Sequence, residues 1–139
     1  MTLDCPPLLE GLRVLVVDDE TGVRDLVSAI LAKYDADVRT ACSAAEALNL
    51  LGSRAQWRPE VLLADIELPD ADGYELMRQV RTLPAEFGGR VPAVALTTHA
   101  RVEDRMKALA AGFQMHVAKP VEPEELLAVV ASLVKRLNP

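Results

Sequence analysis

Val61-Leu62-Leu63-Ala64-Asp65-Ile66-Glu67-Leu68-Pro69-Asp70-Ala71-Asp72-Gly73 decides how this chain is read. Four apolar residues run straight into a carboxylate, and a proline and a glycine then turn the chain toward a helix. A short unbroken apolar run bounded by turn signals predicts a strand buried on both faces. Such strands belong to parallel sheets covered by helices, and open sheets of that kind handle ligands at the carboxyl ends of their strands. Asp65 stands at such an end. An aspartate there also serves as an ordinary turn former or helix cap, so position alone leaves both roles open.

The same pattern repeats on either side. Leu12 to Val17 is a β-branched run that breaks off in Asp18-Asp19-Glu20, and Val23, Leu26, Val27, Ile30 and Leu31 then form a helical stripe within Thr21 to Tyr34. Asp37 to Ala41 reads as a second strand, and Ser43 with Glu46 three residues on forms a capping-box pattern for the next helix. After the Asp65 strand, Tyr74, Leu76, Met77 and Val80 mark a helix from Gly73 to Leu83, ended by Pro84. The loop Pro84 to Arg90, with Gly88-Gly89, is expected to be the most mobile connection. Pro92 to Thr97 is a fourth strand, Val102 to Ala111 a helix stopped by Gly112, Phe113 to Ala118 a fifth strand. Pro123 opens a last helix reaching about Leu137. Strict alternation of strands and helices implies one α/β domain with five parallel strands and right-handed crossovers.

Composition bounds the rest. The 139 residues suit a single core, half of them hydrophobic and 26% charged, as in a globular chain. The apolar runs fall far short of the roughly 20 residues a membrane span needs. Met1 to Glu10 has acids and two prolines where a signal peptide needs a basic start and a long apolar stretch, so a cytoplasmic chain is expected, with no membrane insertion. A formal charge of −6 and scattered basic residues argue against direct nucleic acid binding. Cys5 and Cys42 lack the spacing of a zinc site or disulfide framework, and Cys42 is expected to be a small buried hydrophobe.

Functional groups gather at one sheet edge: Asp18 and Asp19 after the first strand, Asp65 after the third, Thr97 after the fourth and Lys119 after the fifth. Crowded carboxylates repel one another and raise each other's pKa. A divalent cation relieves that repulsion, and all-oxygen ligands with positions left for water suit Mg²⁺. A lysine and a hydroxyl beside a metal-bound carboxylate make a site for a phosphoryl group, whose transfer requires little beyond positioning and charge stabilisation.

Val16-Val17-Asp18-Asp19-Glu20, Asp65 to Gly73, Ala95-Leu96-Thr97 and Val117-Ala118-Lys119-Pro120 together resemble the receiver domain of bacterial two-component response regulators. The resemblance covers Leu12 to Leu137, leaving residues 1–11 as an N-terminal extension and 12–139 as the receiver. It implies a flavodoxin-like (βα)5 fold, strand order 2-1-3-4-5 with helices on both faces, and a phosphorylation switch in place of a turnover enzyme. Asp65 would be the phosphoacceptor for a phosphohistidine on a histidine kinase or histidine phosphotransfer protein. Asp18, Asp19, Asp65 and the backbone carbonyl of Glu67 would hold Mg²⁺. Lys119 would pair with Asp65 or its phosphoryl oxygens, Thr97 would donate to the phosphoryl group, and the Lys119–Pro120 peptide would be cis. Gly112 to Leu126 looks most like the terminal receivers of hybrid histidine kinases, so both a stand-alone regulator and a kinase-attached domain stay open.

Departures from the family pattern fall at two positions, His116 and Thr98. His116 stands where receivers usually place Tyr or Phe as a rotating switch side chain, and it is either a pH-responsive switch or a surface residue of an edge strand. Thr98 replaces the usual Ala or Gly and would narrow access to Asp65. Glu67 and His99 match positions that tune loss of the phosphoryl group. The fourth helix, fifth strand and fifth helix form the face receivers use for dimers and partners; its candidate residues here are Arg101, Glu103, Arg105, Lys107 and Glu122. Trp57 is expected at the end opposite the site. Two rivals carry less: a haloacid-dehalogenase-type phosphohydrolase would show Asp-x-Asp where this chain has adjacent Asp18-Asp19, and a flavin-binding module would need small and hydroxyl residues where it has acids.

Overall fold

A computed structural model describes residues 9–52, 57–98 and 102–137, with side chains to residue 134. Strands β1 (Arg13–Val17), β2 (Asp37–Ala41), β3 (Val61–Asp65), β4 (Ala93–Thr97) and β5 (Met115–Ala118) alternate with helices α1 (Thr21–Ala32), α2 (Ala44–Gly52), α3 (Gly73–Arg81), α4 (Val102–Ala111) and α5 (Pro123–Leu137). All pairings are parallel, in the order β2-β1-β3-β4-β5. The flavodoxin-like reading and its strand order are therefore those of the molecule.

Side chains alternate across each strand, and the alternation builds two separate cores. Leu15, Val17, Leu62, Ala64, Ala93 and Ala95 face α2, α3 and α4. Val14, Val16, Val61, Leu63, Val94, Leu96 and Val117 face α1 and α5. The first face is paved with alanines, which leaves room for Leu51, Met77, Val80 and Phe113 to reach the sheet. Every residue of β3 and β4 is buried, whereas β2 at the sheet edge is largely exposed. Leu9, in the stretch read as an extension, is fully buried in the α1–α5 core, and Gly11 N–H donates to the Asp35 carbonyl at 2.8 Å.

Local chemistry explains the boundaries. Asp72 Oδ1 accepts from Glu75 N–H at 2.7 Å and caps α3. Gly73 is required by close approach: a Cβ there would run into the Asp65 carbonyl and Ile66 Cα. Gly112 ends α4 at φ +118°, with its own N–H and that of Phe113 returning to the Ala108 carbonyl at 3.1 and 3.0 Å. Helix α1 stops at Ala32, two residues early, because Asp35 adopts φ +66° and Ala36 N–H folds back to the Leu31 carbonyl.

Two expectations are corrected, for Cys42 and for the capping box of α2. Cys42 is exposed, because the chain leaves β2 there and its side chain meets Glu46, not the core. Ser43 Oγ caps Glu46 N–H at 3.1 Å, but Glu46 reaches back to Cys42 N–H at 2.6 Å, one residue earlier than a standard box. The Pro84 to Arg90 loop is hydrogen-bonded through a 3₁₀ turn at Ala85–Phe87, and Arg58 stacks on Phe87 at 5.3 Å. Trp57 does lie at the far end, its Nε1 donating to Asp37 at 2.8 Å under the Arg39 guanidinium.

Candidate functional site

Parallel strands deliver their last residues to one edge, and the acids arrive there in different environments. Asp18 is wholly buried, Asp65 is 5% exposed and Asp19 is exposed. One carboxylate oxygen from each of the three lies within 4.8 Å of the other two. Asp18 Oδ1 accepts from Glu20 N–H at 2.9 Å and Asp65 Oδ1 from Glu67 N–H at 3.0 Å, two turns that aim the remaining oxygens inward. Lys119 Nζ enters between them, 3.0 Å from Asp65 Oδ2 and 2.8 Å from Asp18 Oδ2. The contact with Asp65 is an aligned hydrogen bond. The contact with Asp18 is an ion pair, and among the described residues no aligned hydrogen bond reaches that buried oxygen.

These environments set the protonation chemistry. Burial pushes the Asp65 carboxyl above its ordinary pKa, assisted by the Asp18 charge; the Glu67 N–H and Lys119 work in the opposite direction and only partly offset it. Burial disfavours the Lys119 ammonium too, but the close contacts and charges of Asp18 and Asp65 outweigh it, so its pKa rises and the lysine stays a cation.

Other expected residues take varied places. Thr97 is buried at the end of β4, and its carbonyl accepts from Lys119 N–H at 2.9 Å. Thr98 is exposed and lines a cavity of about 210 Å³ with Asp19, Glu20, Asp65, Glu67 and Lys119. The Lys119–Pro120 peptide is cis. His116 is half-buried beside a smaller cavity of about 110 Å³, lined also by Arg105, Ala108, Leu109, Phe113 and Met115. His99 and Arg101 lie outside the described residues. Glu103, Arg105, Lys107 and Glu122 are exposed, and Lys107 Nζ lies 5.2 Å from the Tyr74 ring of α3.

Two contributors were not expected. Glu20 Oε1 is 3.5 Å from Lys119 Nζ. Arg24 Nη1 donates to the Asp18 carbonyl at 2.6 Å and so fixes the acidic turn. The available signal was a cation in the first turns of α1, where the helix dipole disfavours positive charge.

The donor set fits a hard divalent cation. Three carboxylates converge, one buried oxygen has no aligned donor among the described residues, and the adjoining cavity has room for coordinated water. Asp18, Asp19 and Asp65 are the side chains that would hold it.

Comparison with known proteins agrees with this geometry. Residues 14–131 match the model of the response regulator receiver domain. An uncharacterized 14.6 kDa protein of Leptolyngbya boryana is 43% identical over 122 residues, covering 88% of this chain and 89% of the relative. The response regulator MprA of Mycobacterium avium is 35% identical over 128 residues, 92% of this chain; the chain spans about half of that relative, 53% of its length. Among solved structures, the receiver domain of a sensor histidine kinase from Pseudomonas aeruginosa, with a magnesium ion coordinated in its active-site cleft, superposes with a TM-score of 0.78 at 30% identity, covering 90% of this chain and 98% of that one. The chain belongs to the response regulator receiver family, a class of phosphoacceptor signalling modules.

Because burial raises the Asp65 pKa, the folded state holds that proton more tightly than the unfolded chain does. Its contribution to stability is therefore lost as pH rises from the ordinary carboxylate range through the raised folded value. Asp65→Asn is expected to raise the thermal midpoint by a few degrees at pH 7 in EDTA, with the gain shrinking in acid. A lower midpoint for the variant at pH 7, read by differential scanning calorimetry, would contradict this origin of the shift.

Proposed function

We propose that Asp65 accepts a phosphoryl group from the phosphohistidine of a histidine kinase or histidine phosphotransfer protein, and that the acylphosphate switches the outer face of the domain. The observation that carries this reading is Lys119 bridging the buried carboxylates of Asp18 and Asp65 at the mouth of a cavity. An Asp65 carboxylate oxygen forms the new O–P bond as the P–N bond to the donor imidazole breaks; the leaving nitrogen keeps the electron pair and is protonated from water. Lys119, already beside Asp65, turns its charge onto the phosphoryl oxygens, and Thr97 donates its hydroxyl to one of them. Mg²⁺, held by Asp18, Asp19, Asp65 and the Glu67 carbonyl, supplies further charge neutralisation when bound. Thr98 narrows the approach to Asp65, while Glu67, and His99 by sequence position, tune loss of the group by water.

A groove beside the site supports a macromolecular donor. Gly22, Val23 and the 44%-exposed Leu26 of α1 continue into Pro120 and Val121, sharing Glu20, Thr98 and Lys119 with the acidic cavity. A helix carrying the phosphohistidine fits that apolar strip. Two settings accommodate this chemistry. The Gly112 to Leu126 resemblance favours a receiver attached to a hybrid histidine kinase, and a free-standing regulator would use the same chemistry; either would act in the cytoplasm. Among the described residues no helix is long and apolar enough to cross a membrane.

The output face is proposed on α4, β5 and α5. Val102, Met106 and Leu109 are 68%, 65% and 60% exposed and lie along one stripe of α4, while only Ala108 and Ala111 of that helix are buried. His116 lines a small cavity together with Arg105 and Leu109, which supports a role for it in coupling the site to this stripe. The acylphosphate, carrying about −1.5 to −2 where the carboxylate carries a single negative charge, would bias the face toward a second copy of the domain.

Intact-mass spectrometry after incubation with acetyl phosphate and Mg²⁺ tests the acceptor. One added phosphoryl group is expected in the wild type and none in Asp65→Asn or in EDTA; no uptake from acetyl phosphate or from phosphorylated histidine kinases would refute it. Sedimentation of the loaded protein tests the face. Phosphorylation is expected to shift wild type toward dimer but not Met106→Asp or His116→Ala, and an unchanged monomer would remove this face from the account.

A further inference from the structure

The loop after Asp65 is not free to find its own shape. Asp70, at its tip, reaches across to the start of α2: Oδ1 accepts from Ala44 N–H at 3.0 Å and Oδ2 from Ala45 N–H at 2.9 Å. The two donors are unpartnered amides of a helix first turn, so Asp70 acts as an N-terminal cap supplied from 25 and 26 residues away. Those bonds hold its carboxyl below the ordinary range. Ser43 Oγ caps the next amide, Glu46 N–H, from within its own turn. One helix terminus is thus capped twice, locally by Ser43 and remotely by Asp70.

The remote cap matters because of what lies on the same loop. Residues 66–72 form a narrow turn closed by a bridge between Glu67 and Asp72 and by Gly73 N–H donating to the Ile66 carbonyl at 2.7 Å. Glu67 N–H also holds Asp65 Oδ1. With its base tied to Asp65 and its tip tied to α2, the turn has little freedom to rotate the Glu67 peptide plane. We infer that Asp70 is a positioning residue for cation binding: its clamp on the first turn of α2 fixes the Glu67 backbone so that its carbonyl points to the Asp18–Asp19–Asp65 cluster. The inference rests on the reading of that cluster as a Mg²⁺ site. It also makes α2 a sensor of the site, because a change in the Glu67 peptide is felt at Ala44 and Ala45.

Isothermal titration of the intact chain with Mg²⁺ tests it, with Ser43→Ala as the control that removes a cap of the same helix end without touching the loop. Residues that orient metal ligands typically cost 10- to 100-fold in affinity when removed. Asp70→Ala is expected to weaken Mg²⁺ about tenfold and Asp70→Asn, which keeps one acceptor oxygen, by about threefold, whereas Ser43→Ala stays within about twofold of wild type. Amide hydrogen exchange at Ala44 and Ala45 should quicken in both Asp70 variants, and Mg²⁺ should slow it in wild type. Equal affinity in wild type and the Asp70 variants, or an equal loss in Ser43→Ala, overturns the inference while leaving the cation site intact. Absence of Mg²⁺ binding by wild type would instead overturn the reading of the site on which the inference rests.

Discussion

Lys119 is the constraint on which the site depends. Its ammonium stands 2.8 Å from the Asp18 carboxylate and 3.0 Å from that of Asp65, both nearly sealed from solvent. Burying one such charge without partners costs several kcal/mol, and a pair that loses a member leaves that cost uncompensated. One cation facing two buried carboxylates, with Asp19 and Glu20 close by, still leaves negative charge in excess. A site built this way carries an excess of negative charge that a divalent cation would offset. Reactivity and instability share a cause here.

The scaffold makes that tension tolerable. Five parallel strands, with β3 and β4 buried throughout, hold the strand ends at fixed spacing. Gly73 lets α3 begin against the Asp65 carbonyl, and Asp72 caps that helix, so the turn carrying Glu67 is anchored at its exit. Helix α4 is held differently. Its C-terminal end is pinned by Arg81, whose guanidinium donates to the Gly112 carbonyl at 2.6 and 3.2 Å, while its buried surface is mainly Ala108 and Ala111. A rigid site thus sits beside a helix with a firmly tied end and a thinly packed body.

Legibility in the sequence followed the range of the interactions. β3, α4 and α5 have the expected bounds because local patterns decide them: an unbroken apolar run, a glycine in the left-handed region, a proline in the first turn. The acids, Thr97 and Lys119 were legible because parallel topology converts sequence order into placement at one edge. What escaped depends on contacts between distant segments. Asp70 looks like a turn former until α2 is seen beside it. Cys42 was expected to be buried from its residue type, but its exposure follows from where the chain leaves an edge strand. The apolar stripe of α4 was hidden for a related reason: Val102, Met106 and Leu109 have the spacing of core residues, and only the packing shows that alanines took that place.

The account stands most directly on the thermal midpoint of wild type and Lys119→Ala, each measured in EDTA and in excess Mg²⁺ at pH 7. If Lys119 is the cation that makes the buried carboxylates tolerable, its removal should cost about 3 kcal/mol in EDTA. Mg²⁺ should stabilise wild type and return much of the loss in the variant, since a ligand of the folded state alone raises stability by mass action. Midpoints that do not respond to Mg²⁺ in either protein, or a variant as stable as wild type in EDTA, would contradict it.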